Sequence, residues 1–208
     1  MVVNHGGPKF GSRSGPGGLR FHLRGAFFLC FAVFFSAVLC GKTLAQPVSR
    51  EYQIKAAFLF NFAQFVEWPP KTFANPEAPF RIGILGEDPF GQALEQIVRG
   101  ESIHGRRIEI VRSRHIQELE HCQMIFISKS DRARLAEILP RLSGRQILTV
   151  SEAPGFASRG GIINFYLEGN KVRFEINPAA ARRDGLKISS QLLNLGKIVE
   201  PEISKDGQ

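Results

Sequence analysis

Between Gly160 and Asn177 the sequence GGIINFYLEGNKVRFEIN constrains the fold more than any other stretch of the chain. If Gly169-Asn170 forms a two-residue turn, Leu167 faces Val172, Phe165 faces Phe174 and Ile163 faces Ile176, so six apolar side chains share one face. The other face then pairs Glu168 with Lys171, Tyr166 with Arg173 and Asn164 with Glu175. A slip of one residue would turn every apolar side chain to the wrong side, so register and pattern specify each other. The reading is a β-hairpin with one buried face. A helix follows that Asn177 caps, Pro178 opens and Gly185 ends.

A hairpin of this kind needs more strands to be stable. Upstream, β-like runs at residues 80–85, 107–111, 124–127 and 146–150 alternate with helical patterns at 89–98 and 131–142 and a short turn at 116–119. Leu135, Ile138, Leu139 and Leu142 form the apolar side of the second of those helices. Strands alternating with helices predict a single α/β domain, its sheet mostly parallel, with helices packed on it and the hairpin near its C-terminal end. A final helix is predicted over 190–199. The first element, 51–68, is a helix ended by Pro69-Pro70. Ile54, Phe58, Phe62, Phe65 and Val66 mark one face, and Ala56, Leu59, Phe60 and Ala63 make the other side apolar as well. A helix apolar nearly all round is either buried in its domain or shared with a second subunit.

Charge is distributed unevenly. The chain has 27 Lys+Arg against 19 Asp+Glu, a net +8 that would suit nucleic acid or acidic lipid if it were spread over the fold. Five of those cations, Lys9, Arg13, Arg20, Arg24 and Lys42, lie in residues 1–45, where no acidic residue occurs, and the remainder is left with 22 against 19. An uncharged, proline-free run at 26–40 follows the basic stretch, and Thr43-Leu44-Ala45 comes after it. This order fits an export signal cleaved before Gln46, with retention as an uncleaved anchor the alternative. The expected domain then covers 46–200, with a polar tail at 201–208. Cys30 and Cys40 leave with the leader, so Cys122 remains alone and no internal disulfide is expected. It opens an apolar run and reads as a buried structural thiol.

Known chemical patterns are missing. The stretch Gly83-Ile84-Leu85-Gly86-Glu87-Asp88-Pro89-Phe90-Gly91 lacks the G-x-G-x-x-G spacing and places two carboxylates where a dinucleotide phosphate would sit. Asp88-Pro89 reads instead as a helix cap and first helical residue. His104, His115 and His121 are scattered, without H-E-x-x-H or C-x-x-C, and no G-x-S-x-G occurs. Neither a metal nor another cofactor is expected. Arginines cluster at 106–107, 112–114, 132–134 and 182–183, but acidic residues are mixed among them and no aromatics are interleaved to stack bases. Nucleic acid is therefore not an expected partner, and the chain reads as a protein that acts by binding.

Several long strings carry a family resemblance. EYQIKAAFLFNFAQFVEWP from Glu51 to Pro69, ILGEDPFG from Ile84 to Gly91, LTVS from Leu148, Gly160-Gly161, RFEIN from Arg173 and LKISSQLL from Leu186 together resemble the YfiR family over almost the whole exported chain. The resemblance implies a dimeric α/β fold without a catalytic site. It also implies a periplasmic regulator that binds the periplasmic part of an inner-membrane diguanylate cyclase and holds it inactive, lowering cyclic-di-GMP and biofilm formation. On that reading the hairpin's polar face, Asn164, Tyr166, Arg173 and Glu175, is the expected partner-binding surface. Phe58, Phe62 and Phe65 of the first helix form the expected homodimer interface. Relatives with internal disulfides imply a redox role for Cys122, but its expected partner position is Gly83, which leaves an intermolecular bond or a thiol adduct. The alternative function is a periplasmic small-molecule binding component signalling to another membrane receptor, such as a histidine kinase.

Overall fold

The computed structural model describes residues 48–200, so the predicted leader and polar tail lie outside the described residues. Helix α1 spans Arg50–Gln64 and is capped by Ser49, whose Oγ accepts from the Tyr52 N–H. Its buried residues are Lys55, Ala56, Leu59, Phe62 and Ala63, while Phe58 and Phe65 are half-buried against the core and Ile54 is exposed, so the inward side cuts across both apolar faces of the sequence pattern. A helix apolar on all sides carries little pattern to fix its rotation. The helix also stops five residues before Pro69, because Val66–Glu67 (β1) pairs antiparallel with Lys187–Ile188 (β9) as a separate two-stranded sheet.

The main sheet has eight strands: β2 (Phe80–Leu85), β3 (Ser102–Ile103), β4 (Arg106–Ser113), β5 (Met124–Ile127), β6 (Leu148–Ser151), β7 (Ile163–Glu168), β8 (Lys171–Ile176) and β10 (Lys197–Ile198). Their spatial order is β10-β8-β7-β6-β5-β2-β4-β3, and every neighbouring pair is parallel except β3 with β4 and β7 with β8. The predicted α/β architecture with a mostly parallel sheet is thus the observed one. Hairpin register also matches the prediction, pairing Ile163 with Ile176, Phe165 with Phe174 and Leu167 with Val172.

Four further helices cover the sheet: α2 (Ala93–Val98), α3 (Leu135–Leu142), α4 (Pro178–Arg183) and α5 (Ser190–Leu195). One face packs against α1, α2, α4 and α5 through Leu59, Phe62, Leu94, Ala180 and Leu192. The other is filled by α3, the Ile116–Leu119 turn and Phe156, which meet Leu85, Ile125 and Ile127. In β5 alternate side chains therefore feed two separate cores, Met124 and Phe126 one and Ile125 and Ile127 the other, which is why that strand is apolar throughout. No helix among the described residues is long and apolar enough to cross a membrane.

Three further helix predictions need correction. The segment 89–98 turns helical only at Ala93, because Asp88 Oδ1 accepts from the Phe90 N–H and closes a tight turn first. Residues 129–134 form a 3-10 turn capped by Ser128, and α-helix begins at Leu135. The final helix ends at Leu195, and Lys197–Ile198 instead extends the sheet beside β8. Gly196 makes this possible, since a Cβ there would lie 2.7 Å from both Ile176 Cδ1 and Phe174 Cε2.

Candidate functional site

In open α/β sheets, ligands settle beyond the carboxyl ends of the strands, where the strand order reverses. Here β4 lies on one side of β2 and β5 on the other, placing that reversal between β2 and β5. The protein's own side chains fill the position. Gly86, at φ +92°, follows β2, and a Cβ there would lie 2.1 Å from Asp131 Oδ2 and 2.3 Å from Ser130 Oγ. Ser130 Oγ accepts from the Glu87 N–H at 3.0 Å and donates to Asp131 Oδ2 at 2.8 Å, while Arg134 holds the other Asp131 oxygen at 3.0 Å. Asp88, the nearby carboxylate, pairs with Arg112 at 2.7 Å.

Beside this plug lies a charged cluster that sequence reasoning missed. Lys55 is only 2% exposed in the middle of α1, and its Nζ is held by both Glu51 and Glu152. Glu152 directly follows β6 with its side chain 2% exposed; it also accepts from the Tyr52 hydroxyl at 2.9 Å and faces Lys129 Nζ at 3.5 Å. Lys55 Nζ stands 4.7 Å from the Tyr52 ring centroid. Burial, then the hydrogen bond to Glu152, push the Tyr52 hydroxyl well above the ordinary phenol range. The cluster clamps α1 across the carboxyl end of the sheet and supplies the rotational anchor that the helix's apolar pattern lacks. The available signal was a lone lysine, Lys55, inside an otherwise apolar helix.

The predicted partner-binding residues do not form one wet face. β7 is an interior strand at its start, and burial declines along it from Ile163 to Glu168. Asn164 is buried; its Nδ2 donates to Glu175 Oε2 at 3.4 Å, and its Oδ1 has no partner among the described residues. Glu175 is half-buried and accepts from Lys197 Nζ at 3.1 Å, so strand β10 already occupies it, and this pairing raises the Lys197 pKa. Tyr166 is half-buried and Arg173 exposed, opposite one another on the two strands, with Arg173 Nε donating to Glu168 at 3.2 Å. A substitution at Glu175 thus disturbs the sheet edge as well as any partner.

Of the three phenylalanines expected at a dimer interface, Phe62 has no exposed surface. Its ring packs 5.5 Å from that of Phe165 and 4.9 Å from that of Phe174. Phe58 and Phe65 are half-buried and keep some surface. His104, His115 and His121 are each exposed, and no group of three or more metal-type side chains converges among the described residues.

Cys122 is buried, and that burial pushes its thiol up to about 11, so little of it is thiolate at neutral pH. A Cβ at Gly83 would lie 3.2 Å from Cys122 Sγ, which puts the position expected to carry its partner directly opposite the thiol. Gly83→Cys is therefore expected to form a disulfide with Cys122 on oxidation, with the gain reduced by Ile125 and Leu119, each 3.3 Å from that Cβ. Thiol titration and intact mass under non-reducing denaturation check this. Two titratable thiols after oxidation would refute the opposition of the two sites.

Comparison with known proteins adds the family. Among solved structures, one described as an ABC domain in complex with L-Trp from Streptococcus pneumonia aligns with a TM-score of 0.44 at 12% identity. That alignment covers 58% of this chain and 56% of the other, so the chain spans little more than half of that structure's length. No curated protein matches. A family profile described as YfiR/HmsC-like matches residues 52–197, from the first turn of α1 to the start of β10. The chain belongs to the YfiR/HmsC-like family.

Proposed function

We propose that this protein is a non-enzymatic periplasmic regulator that binds the periplasmic part of an inner-membrane diguanylate cyclase and holds it inactive, lowering cyclic-di-GMP and biofilm formation. The observation that carries this reading is the family match, whose bounds, 52–197, take in nearly every described element. Two features of the fold support it. The place where such a sheet would hold a small ligand is filled by Ser130 and Asp131, and the hairpin extends its outer half, with Tyr166 and Arg173, beyond the covered part of the sheet. A homodimer belongs to the same reading, with Phe58 and Phe65 as the residues of α1 that have surface to offer.

Repression by binding requires differential affinity. To move a cyclase from almost wholly active to almost wholly inactive, the regulator must prefer the inactive state by about 10⁴-fold. Deleting the gene is expected to raise cellular cyclic-di-GMP and surface adhesion severalfold, and the wild-type gene supplied in trans is expected to restore both. Nucleotide extraction and quantification, alongside an adhesion assay, read this out. Unchanged cyclic-di-GMP in the deletion strain would remove the regulatory reading.

A further inference from the structure

We infer that the groove between α1 and the tip of the β7–β8 hairpin docks an acidic, amphipathic segment of another protein. The groove has a volume of about 750 Å³. Its floor is apolar: Ile54 and Leu167 are 38% and 52% exposed, and Phe58 and Val172 are half-buried beside them. Leu167 stands on the hairpin face that is buried further down the strand, but at the tip no element among the described residues covers it. Unlike an isolated surface leucine, it continues the apolar surface of a helix across a cleft.

The rim decides the occupant. Arg50, Lys171 and Arg173 line it, and among the described residues Arg50 and Lys171 make no ion pair, while Arg173 shares the exposed Glu168. The one carboxylate in the lining, Glu51, is engaged by buried Lys55. A cationic rim with two of its three charges unpaired among the described residues, around an apolar floor, selects apolar side chains flanked by carboxylates. A second copy would bring the same three cations against these, and like charges oppose that pairing. A concave floor receives side chains projecting from a peptide segment better than it fits a flat bilayer. The inference rests on the proposed regulatory function only in naming the cyclase's periplasmic part as the source of the segment.

The test uses the exported full-length chain in cells, with p-benzoylphenylalanine at Asn170, an exposed residue of the groove lining. Irradiation is expected to crosslink it to a membrane diguanylate cyclase at a peptide rich in Asp, Glu and apolar residues. Leu167→Asp, and separately Arg50→Glu with Lys171→Glu, are expected to lower that crosslink about tenfold or more, with export and melting midpoint unchanged. A crosslink to lipid, to a second copy of the chain or to a segment without acidic residues overturns the inference, as does one that charge reversal leaves intact. If the acidic segment belongs to a protein other than a cyclase and gene deletion leaves cyclic-di-GMP unchanged, the docking inference stands and the proposed function falls. If no crosslink forms while gene deletion still raises cyclic-di-GMP, the function stands and the docking inference falls.

Discussion

Lys55→Ala lowers the unfolding free energy by about 3–5 kcal/mol, the usual cost of removing one partner from a buried ion pair. Both ends of the pair are buried, and the loss leaves Glu152 with only the Tyr52 hydroxyl and the more distant, exposed Lys129 to balance its charge. For a domain of this size the thermal midpoint falls by roughly 10 °C. Replacing both partners with apolar residues of similar volume, Lys55→Met with Glu152→Leu, recovers most of that loss, because two uncompensated desolvations disappear together. Denaturant unfolding of the four proteins in the cycle measures the coupling directly. A Lys55→Ala loss below about 1 kcal/mol, the range of exposed ion pairs, would show that the cluster is open to water and does not clamp α1.

The second large effect is Phe62→Ala, expected to cost about 3–5 kcal/mol through a lost aromatic side chain and the cavity it leaves. Its ring is fully buried against Phe165 and Phe174 of the same chain, so the loss belongs to the fold itself. The drop in midpoint is accordingly the same at low and high protein concentration. Were Phe62 part of a subunit interface, the size of the drop would itself change with protein concentration, because the variant would lose the stability that dimer formation adds.

The hairpin was legible to the residue, because a two-residue turn, six apolar positions and three polar pairs all demand one register. Strand positions 80–85 and 124–127 were equally plain, since short apolar runs bounded by turn residues have few other uses. The misreadings share a physical cause. Residues 190–199 carry helix-forming leucines, but Gly196 lets the chain press against Phe174 and Ile176, and a tertiary contact overrides the local preference. On α1 the apolar pattern was too complete to show which side faces inward, and the deciding contact, Lys55 with Glu152, joins residues 97 positions apart. The hairpin's polar side was visible as a pattern, but β10, which covers Glu175, was not. The groove at its tip required knowing that α1 and the hairpin lie side by side.

Structure and proposed mechanism meet in the division between a rigid base and an available end. The plugged crevice, two cores and charged clamp hold the sheet and α1 as one body, and the hairpin tip extends from it with apolar and cationic side chains uncovered. The proposed regulatory role needs that combination, because a partner's equilibrium is shifted only by contacts that one of its states makes better than the other. The most direct measurement is cyclic-di-GMP synthesis from GTP by detergent-solubilised membranes of the deletion strain, titrated with the purified exported domain. The expected result is a saturable fall in rate with wild-type protein. A synthesis rate that stays constant through saturating additions of folded wild-type domain would contradict repression by binding.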